Sequence, residues 1–572
     1  MHFPSIVSFL LALGVLSTPL FSSTSDAYTL TSSQNGALIR WNYGQKYFLA
    51  GNPISRGSFS PNYFFSAVTQ GLQQWKWATQ GSLDFDYWQG TDPNKYPAKL
   101  AQDGQSAIFL SSNSTAQTDS NVIGFTQVWY NTENGDLIEA DIVLNDRDYD
   151  LTTTATDTSS NGSGGYGIKP KVFLNNVITH ELGHAIGLSH SSSVNASMLY
   201  VEYKEQSKVG CDDWSAARHL YPSNSGVLGK LTGTVVSPIG VPVAGATVSA
   251  ISKDRGSILA TAHTEQNGQF FFGALEVGTV ALVVQPFQGS SSSIPARLAV
   301  RASDTICTGT RFPSFFSTES DGNTLAAYSI EPSQVTQAGT LRIQCQSVPM
   351  SSPIGSGSVQ ASDFFVDSLP SGSSRVYEFQ ANGPFRITTT SHILLSSITP
   401  SIQVTDASGR VISTQQTSPT YQGSSNFKIL DTQITGTATG LILVRVTSSS
   451  IGWGQLPSPT ITPGTDPYFV LSFSSQTSGR APASRILPDN ARCAPAGEFP
   501  AYQSPDGDPV KNFIGSNREM MGFCASIAAI QSSGNNKNLP PPSAGALVGW
   551  FLPFLIAAGF TFFHRFSRKR LQ

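Results

Sequence analysis

Charged side chains are scarce in this 572-residue chain, where Asp, Glu, Lys and Arg together make up 12%, about half the usual share of a soluble protein. The 34 basic residues nearly balance the 37 acidic ones, and the formal net charge is −3. Such a balance offers no electrostatic footprint for nucleic acid, so that class of partner is excluded. Histidine is also rare: there are 8, and none lies between His2 and His180. The 5 cysteines all fall at or after Cys211, so the stretch before His180 has neither a thiol nor a clustered-imidazole metal site of its own. Long apolar runs are missing except at the two ends.

Those ends carry information about location. Ile6 to Leu16 is apolar, and Pro19 and a Ser/Thr stretch follow it. Ser25-Asp26-Ala27 places small residues where a signal peptidase reads, which makes residues 1–27 a signal peptide and Tyr28 the expected mature N-terminus. No Lys or Arg precedes the run; His2 and the α-amino group supply its only positive charge. At the far end, Ala546 to Phe563 has no charge and His564, Arg565, Arg568, Lys569 and Arg570 follow. As a helix it would span about 27 Å, enough for the hydrocarbon core. The basic tail 565–572 places that side in the cytoplasm. A permanent anchor over 544–564 and a sorting signal that is cut off fit equally well. Either way the protein is exported, to end at the cell surface or secreted. Sequence order favours Cys307 with Cys345 and Cys493 with Cys524, and leaves Cys211 as a small buried apolar residue.

Between the ends, texture divides the chain. At 572 residues it exceeds a single core. From 28 to 224 the pattern is mixed α and β. Pro61 to Thr79 has Phe64, Phe65, Val68, Leu72, Trp75 and Trp77 at mostly helical spacing behind Ser60 as a cap. Strand-like runs follow at Leu83–Trp88, Ala107–Ser111, Val122–Tyr130 and Leu137–Leu144. Tyr149–Gly167 reads as a loop, and a second helix is expected to begin near Pro170. After Gly226 the pattern turns all-β, with strands at Leu231–Ser237, Ala246–Ser252, Gln269–Phe272 and Val280–Val284 in a small sandwich over 227–286. A β-rich region over 287–355 and another sandwich over 356–475 come next. A polar, Pro-rich stalk then covers 476–543. Asp146, Asp148 and Asp150 suit either a structural calcium or a solvated acidic turn.

The chemistry lies in His180-Glu181-Leu182-Gly183-His184-Ala185-Ile186-Gly187-Leu188-Ser189-His190. Histidines four apart share a helical face one turn apart, so both rings can reach one cation. Glu181 lies beside them without the spacing of a ligand, in place to hold a proton next to metal-bound water. Gly187 tolerates the backbone conformation that ends a helix and turns the chain back, bringing His190 to the same point. Three neutral imidazoles leave a coordination position open, the catalytic rather than the structural zinc pattern.

This long motif with a following Met resembles the metzincin signature, and Gly187-Leu188-Ser189-His190 resembles its matrixin (matrix-metalloprotease-like) branch. Met198, in Ala196-Ser197-Met198-Leu199-Tyr200, follows at the matrixin distance, and the resemblance implies that it forms an apolar floor under the metal. Asp212-Asp213 and Leu220-Tyr221 match the matrixin C-terminal helix, and a newly cut Tyr28 amine would approach one of those two Asp residues. The upstream histidines of a second, structural zinc are absent, as is the cysteine of an inhibitory pro-segment. After Met198 the chain reads Leu-Tyr-Val-Glu-Tyr, which leaves Tyr200 and Tyr203 as alternatives for lining a specificity pocket. Gly268-Gln269-Phe270-Phe271-Phe272 with Leu275 and Gly278 resembles the carboxypeptidase regulatory-like module. Val376-Tyr377-Glu378-Phe379 and Tyr468-Phe469-Val470-Leu471 resemble pre-peptidase C-terminal sandwiches.

The expected architecture is multidomain: an α/β metzincin-like catalytic domain, then all-β sandwich modules and a C-terminal transmembrane helix. The expected activity is zinc-dependent endopeptidase action on extracellular or cell-surface proteins, with Glu181 as general base and His180, His184 and His190 as ligands. By the resemblance, substrate peptides would lie extended along Val122–Tyr130. The β modules would bind a surface, carbohydrate or protein ligand. A surface adhesin with a protease-like binding domain would have lost a ligand or the Glu, and neither is lost. Metal analysis of the dialysed protein should find about one zinc per chain, as a single three-His site requires; two tightly held zincs would refute the single site.

Overall fold

The structure, a computed structural model, describes residues 30–286 and 306–475 with interruptions, and residues 523–531. The expected signal peptide 1–27, membrane helix 544–564 and basic tail 565–572 lie outside the described residues. Among the described residues no helix is long and apolar enough to cross a membrane.

The first unit runs β1 (Gln45–Gly51), α1 (Pro61–Ala78), β2 (Asp84–Gly90), β3 (Ala107–Leu110), β4 (Val122–Asn131), β5 (Leu137–Leu144), β6 (Asp150–Thr152), β7 (Lys171–Phe173), α2 (Leu174–Ala185) and α3 (Cys211–Leu220). Its sheet has the order β2-β1-β3-β5-β4, in which β4 alone runs antiparallel to its neighbour, β5. A strand from far downstream, Phe523–Gln531, adds parallel to the outer edge of β4. That strand comes from the stretch expected to be a stalk.

α1 begins as its sequence dictates. Ser60 accepts a hydrogen bond from the Tyr63 N–H, and Pro61 occupies a first-turn position where its missing N–H costs nothing. Phe64, Phe65, Val68, Leu72 and Trp75 make its buried stripe. Each such side chain contributes roughly 1.5–3 kcal/mol of burial. α1 lies close against α2 because Gly71 has no side chain; a Cβ there would stand 2.8 Å from Leu182 Cδ1. The Trp75 indole N–H donates to the Thr179 carbonyl at 2.8 Å, fixing the two helices in register.

α2 is buried along its whole length, between α1 and the sheet. It starts at Leu174 rather than near Pro170. The intervening Lys171–Phe173 extends as β7 and pairs parallel with β6, which falls inside the expected loop. Val172 and Phe173 are a β-branched and an aromatic residue, which suit a strand better than a first helical turn.

The second unit has β8 (Gly229–Val236), β9 (Thr247–Ser252), β10 (Ile258–His263), β11 (Gln269–Leu275) and β12 (Gly278–Gln285). Four match the sequence reading and β10 does not appear in it; its small, mixed residues give no clear alternation. Strands from the following stretch complete both sheets: Val335–Arg342 pairs parallel with β8, and Phe315–Phe316 and Tyr328–Ile330 pair with β12. Cys307 and Cys345 are joined as expected. Farther on, six strands between Phe364 and Ser475 form one antiparallel sheet over a core that includes Tyr377, Phe379, Phe469 and Phe473.

Cys211 corrects the sequence reading. It is disulfide-bonded, and nothing near it in sequence marks it as a bridge end. The expected Cys493–Cys524 bridge falls on side chains outside the described residues.

The first two units share one core. Residues from both, such as Trp214 and Leu220 on α3 and Val248 and Phe270 in the module, belong to the same buried apolar cluster. α3 packs on β10 and β11. Asp212, buried in that joint, accepts from the Thr261 hydroxyl at 2.8 Å, from the Thr261 N–H and from the Ser191 hydroxyl. His219 lies so close to Gly273 that a Cβ there would stand 1.7 Å from its Nδ1. Thr261→Val should lower the unfolding free energy by about 1–3 kcal/mol, the cost of depriving a buried carboxylate of a donor. Urea unfolding of the full chain reads this, and an unchanged midpoint would show that Asp212 finds its stabilisation elsewhere.

Candidate active site

His180, Glu181 and His184 all lie on α2, with their side chains buried. The helix ends in a Schellman turn. The Leu188 N–H reaches the Gly183 carbonyl at 3.0 Å and the Gly187 N–H reaches that of His184 at 2.9 Å. Gly187 has φ +99°, and a Cβ there would stand 2.0 Å from the Ile39 carbonyl oxygen. No other residue fits both the angle and the space. Trp41 and Tyr221 tie the helix end down, donating to the carbonyls of Ala185 at 2.8 Å and Ile186 at 2.7 Å. The chain then doubles back and delivers His190, as its spacing implies.

The three histidines converge, their ligand atoms all lying within 4.8 Å of one another. Nε2 of His184 is 3.1 Å from that of His180 and 3.3 Å from that of His190. The outer ring nitrogens set the tautomers. His180 Nδ1–H donates to the Ser197 carbonyl at 2.7 Å and His184 Nδ1–H to that of Leu188 at 2.8 Å. Nε2 of both rings is therefore a bare lone pair facing inward. Two lone pairs at this distance repel unless a cation lies among them, so the donor set fits a metal, and three imidazoles suit zinc. Burial holds the His180 pKa well below that of free imidazole, with His184 adding to the depression. Burial likewise lowers that of His184, to about 4. Both rings are thus neutral and ready to ligate at physiological pH. His190 is half-buried, which leaves the cluster open on its side.

Met198, which the resemblance makes the floor under the metal, packs against α2 at Gly183, where a Cβ would stand 2.2 Å from its Sδ. The turn that carries it hangs from Asp213, a residue whose part in the site the sequence reading did not assign. The Asp213 carboxylate accepts from the N–H groups of Ser197 (2.5 Å), Met198 (3.1 Å) and Gly210 (2.8 Å). One side chain thereby starts α3, holds the Met198 turn and fixes the Ser197 carbonyl that orients His180. Burial pushes the Asp213 carboxyl up to about 8, and neighbouring Asp212 adds to the rise against the pull of the three N–H donors. Both Asp carboxylates are engaged in these contacts, and Tyr28, the expected N-terminal partner, lies outside the described residues.

Thr126 is a second residue the sequence reading missed. It sits on β4 with its hydroxyl 2.7 Å from Glu181 Oε2 and 3.0 Å from the Glu181 carbonyl oxygen. Two residues earlier on the same face, Gly124 lets α2 approach, since a Cβ there would stand 3.0 Å from Glu181 Oε1. A lone polar residue at an inward position of an apolar strand was the available signal.

Among the described residues the His180, His184 and His190 trio is the only converging ligand group of its kind. Asp146 accepts from Ser111 and Ser112, and Asp148 from Asn145; among the described residues these acidic groups are not found converging as the histidines do. Tyr200 and Tyr203 lie outside the described residues. Asp213→Asn, which weakens the support of the Ser197–Met198 turn, should reduce zinc affinity about tenfold, the lower end of the effect of removing outer-shell partners. Competition with a chromophoric chelator measures this; unchanged affinity would show that the turn holds its shape without Asp213.

Residues 63–222 match the matrixin family model and residues 230–306 match that of the carboxypeptidase regulatory-like domain. A search of curated proteins finds no match. Among solved structures, BcpA, the major pilin subunit of Bacillus cereus, is 12% identical, with 40% of this chain and 61% of the pilin covered at a TM-score of 0.11. Fervidolysin from Fervidobacterium pennivorans, a keratinolytic enzyme related to subtilisin, is 14% identical, with 42% of this chain and 36% of its own covered at a TM-score of 0.13. Likenesses this slight carry no argument about fold or function. The family match is what supports a metallopeptidase of the matrixin type over residues 63–222.

Proposed function

We propose that the protein is a zinc metalloendopeptidase that cuts peptide bonds of extracellular or cell-surface proteins, with Glu181 as its general base. The observation that carries this reading is the convergence of the three histidine ligand atoms, with the buried Glu181 next to His180 on the same helix. His180, His184 and His190 would hold the zinc. When bound, the metal supplies a Lewis acid that polarises the scissile carbonyl and acidifies water.

The rest of the work falls to this chain. Glu181 accepts a proton from the attacking water on its carboxylate and returns it to the leaving amine. Thr126 holds one carboxylate oxygen and so restricts the rotamers the base samples between those two transfers. The outer edge of the antiparallel strand β4, when not paired with Phe523–Gln531, would give main-chain hydrogen bonds to an extended peptide and hold the scissile bond over the histidines. Export to the cell surface, by the N-terminal apolar segment and with or without retention of the C-terminal one, belongs to this proposal.

Glu181→Gln tests it. The variant should bind zinc normally and lose about 10²–10⁴-fold in kcat on a quenched fluorescent peptide library, the usual contribution of a general base. A folded, zinc-loaded Glu181→Gln protein that still cleaves at the original rate would remove Glu181 from its role.

A further inference from the structure

The edge that a substrate would use is already taken. Phe523–Gln531 pairs with the whole of β4, Phe523 opposite Val122 and Gln531 opposite Asn131. Cys524 stands opposite Gly124, and Ser526 opposite Thr126. These are the two β4 residues that touch Glu181. The strand also comes within 8 Å of α2, measured between Cα atoms. It therefore runs past the base and beside the helix that carries two of the three metal ligands.

We propose that Phe523–Gln531 is an intramolecular blocking strand, which fills the β4 edge beside Glu181 and must leave before a peptide can enter. The proposal rests on the peptidase reading above. Three observations support it. An antiparallel strand left at a sheet edge presents a row of unpaired N–H and C=O groups that another extended segment will pair with. A segment of the same chain has a large concentration advantage over any free peptide, which gives it first claim on that edge. The pairing also runs along the whole edge, from Phe523 opposite Val122 to Gln531 opposite Asn131, so it leaves no stretch of β4 free for a second peptide.

The block is reversible by construction. Its pairing with β4 is parallel, the less stable arrangement per residue. Its sequence, FCASIAAIQ, has no charged residue to anchor it by an ion pair. Release needs no unfolding of the catalytic sheet, because β4 keeps its full ladder with β5 on the other side. A cut between Ser475 and Phe523 would remove its concentration advantage while leaving the catalytic sheet entire.

The test is the full chain against a Ser526→Pro, Ile527→Pro double variant. In a parallel pair alternate residues face the partner, so prolines at two neighbouring positions remove a ladder donor whichever set faces β4. Two readouts are taken from the same zinc-loaded samples: hydrogen exchange of the 122–131 amides and kcat/KM on a quenched fluorescent peptide. The expected result is faster exchange along β4 together with a rise of about tenfold in kcat/KM, as when the open fraction goes from a tenth to near unity. Unchanged exchange would overturn the docking. Faster exchange with unchanged cleavage would overturn the block. Faster exchange with no cleavage by either form would instead overturn the peptidase reading and the block with it, while the docked strand stands.

Discussion

Two hydrogen bonds decide what the histidine cluster can be. As long as His180 gives its Nδ1 proton to the Ser197 carbonyl and His184 gives its own to Leu188, both rings point lone pairs at a common centre. Each carbonyl in turn has its own support. Leu188 follows Gly187 in the turn that closes α2, and that turn exists because Gly187 can adopt a positive φ against the Ile39 carbonyl. Ser197 hangs from Asp213. The site thus depends on backbone oxygens placed by residues that never meet the metal, and the depth of burial makes each placement costly to disturb.

The part of this that was legible in the sequence is the part with a fixed short spacing. His180, His184 and His190 with Gly187 state their geometry within eleven residues, because helix pitch and one turn settle where the rings go. α1 was legible for the same reason, with its cap, its Pro and its apolar stripe. What the sequence could not disclose are pairings across long separations. Thr126 meets Glu181 across 55 residues, Asp213 meets the Met198 turn only after α3 folds back, and Cys211 is one end of a disulfide. β1 escaped for a related reason: Gln45–Gly51 is a central strand flanked by β2 and β3, yet its Tyr-Phe-Leu-Ala run is too short to show a period. The resemblance to matrixins was carried by the motif, and the match over residues 63–222 reaches upstream over β2 to β5 and most of α1.

The boundary between catalytic unit and regulatory-like module, plain in the sequence as a change from mixed to all-β texture, is not a boundary in the packing. Trp214 and Leu220 share a core with Val248 and Phe270, and Asp212 reaches Ser191 on one side and Thr261 on the other. Asp212 and Asp213 are adjacent in the chain but face different tasks, one joining two units and the other bracing the floor of the site. A strain at the joint is therefore only one peptide bond away from the turn that orients His180.

That continuity has a consequence for how long such an enzyme lasts. Proteins that digest others are themselves exposed to digestion, and the outer module presents more surface to attack than the buried helix α2. Because α3 leans on β10 and β11, a nick that loosens the module also slackens Asp212, then Asp213, then the support of a metal ligand. The module and the histidine cluster would then fail together rather than separately, because the contacts that join the module and those that brace the Met198 turn sit side by side on α3.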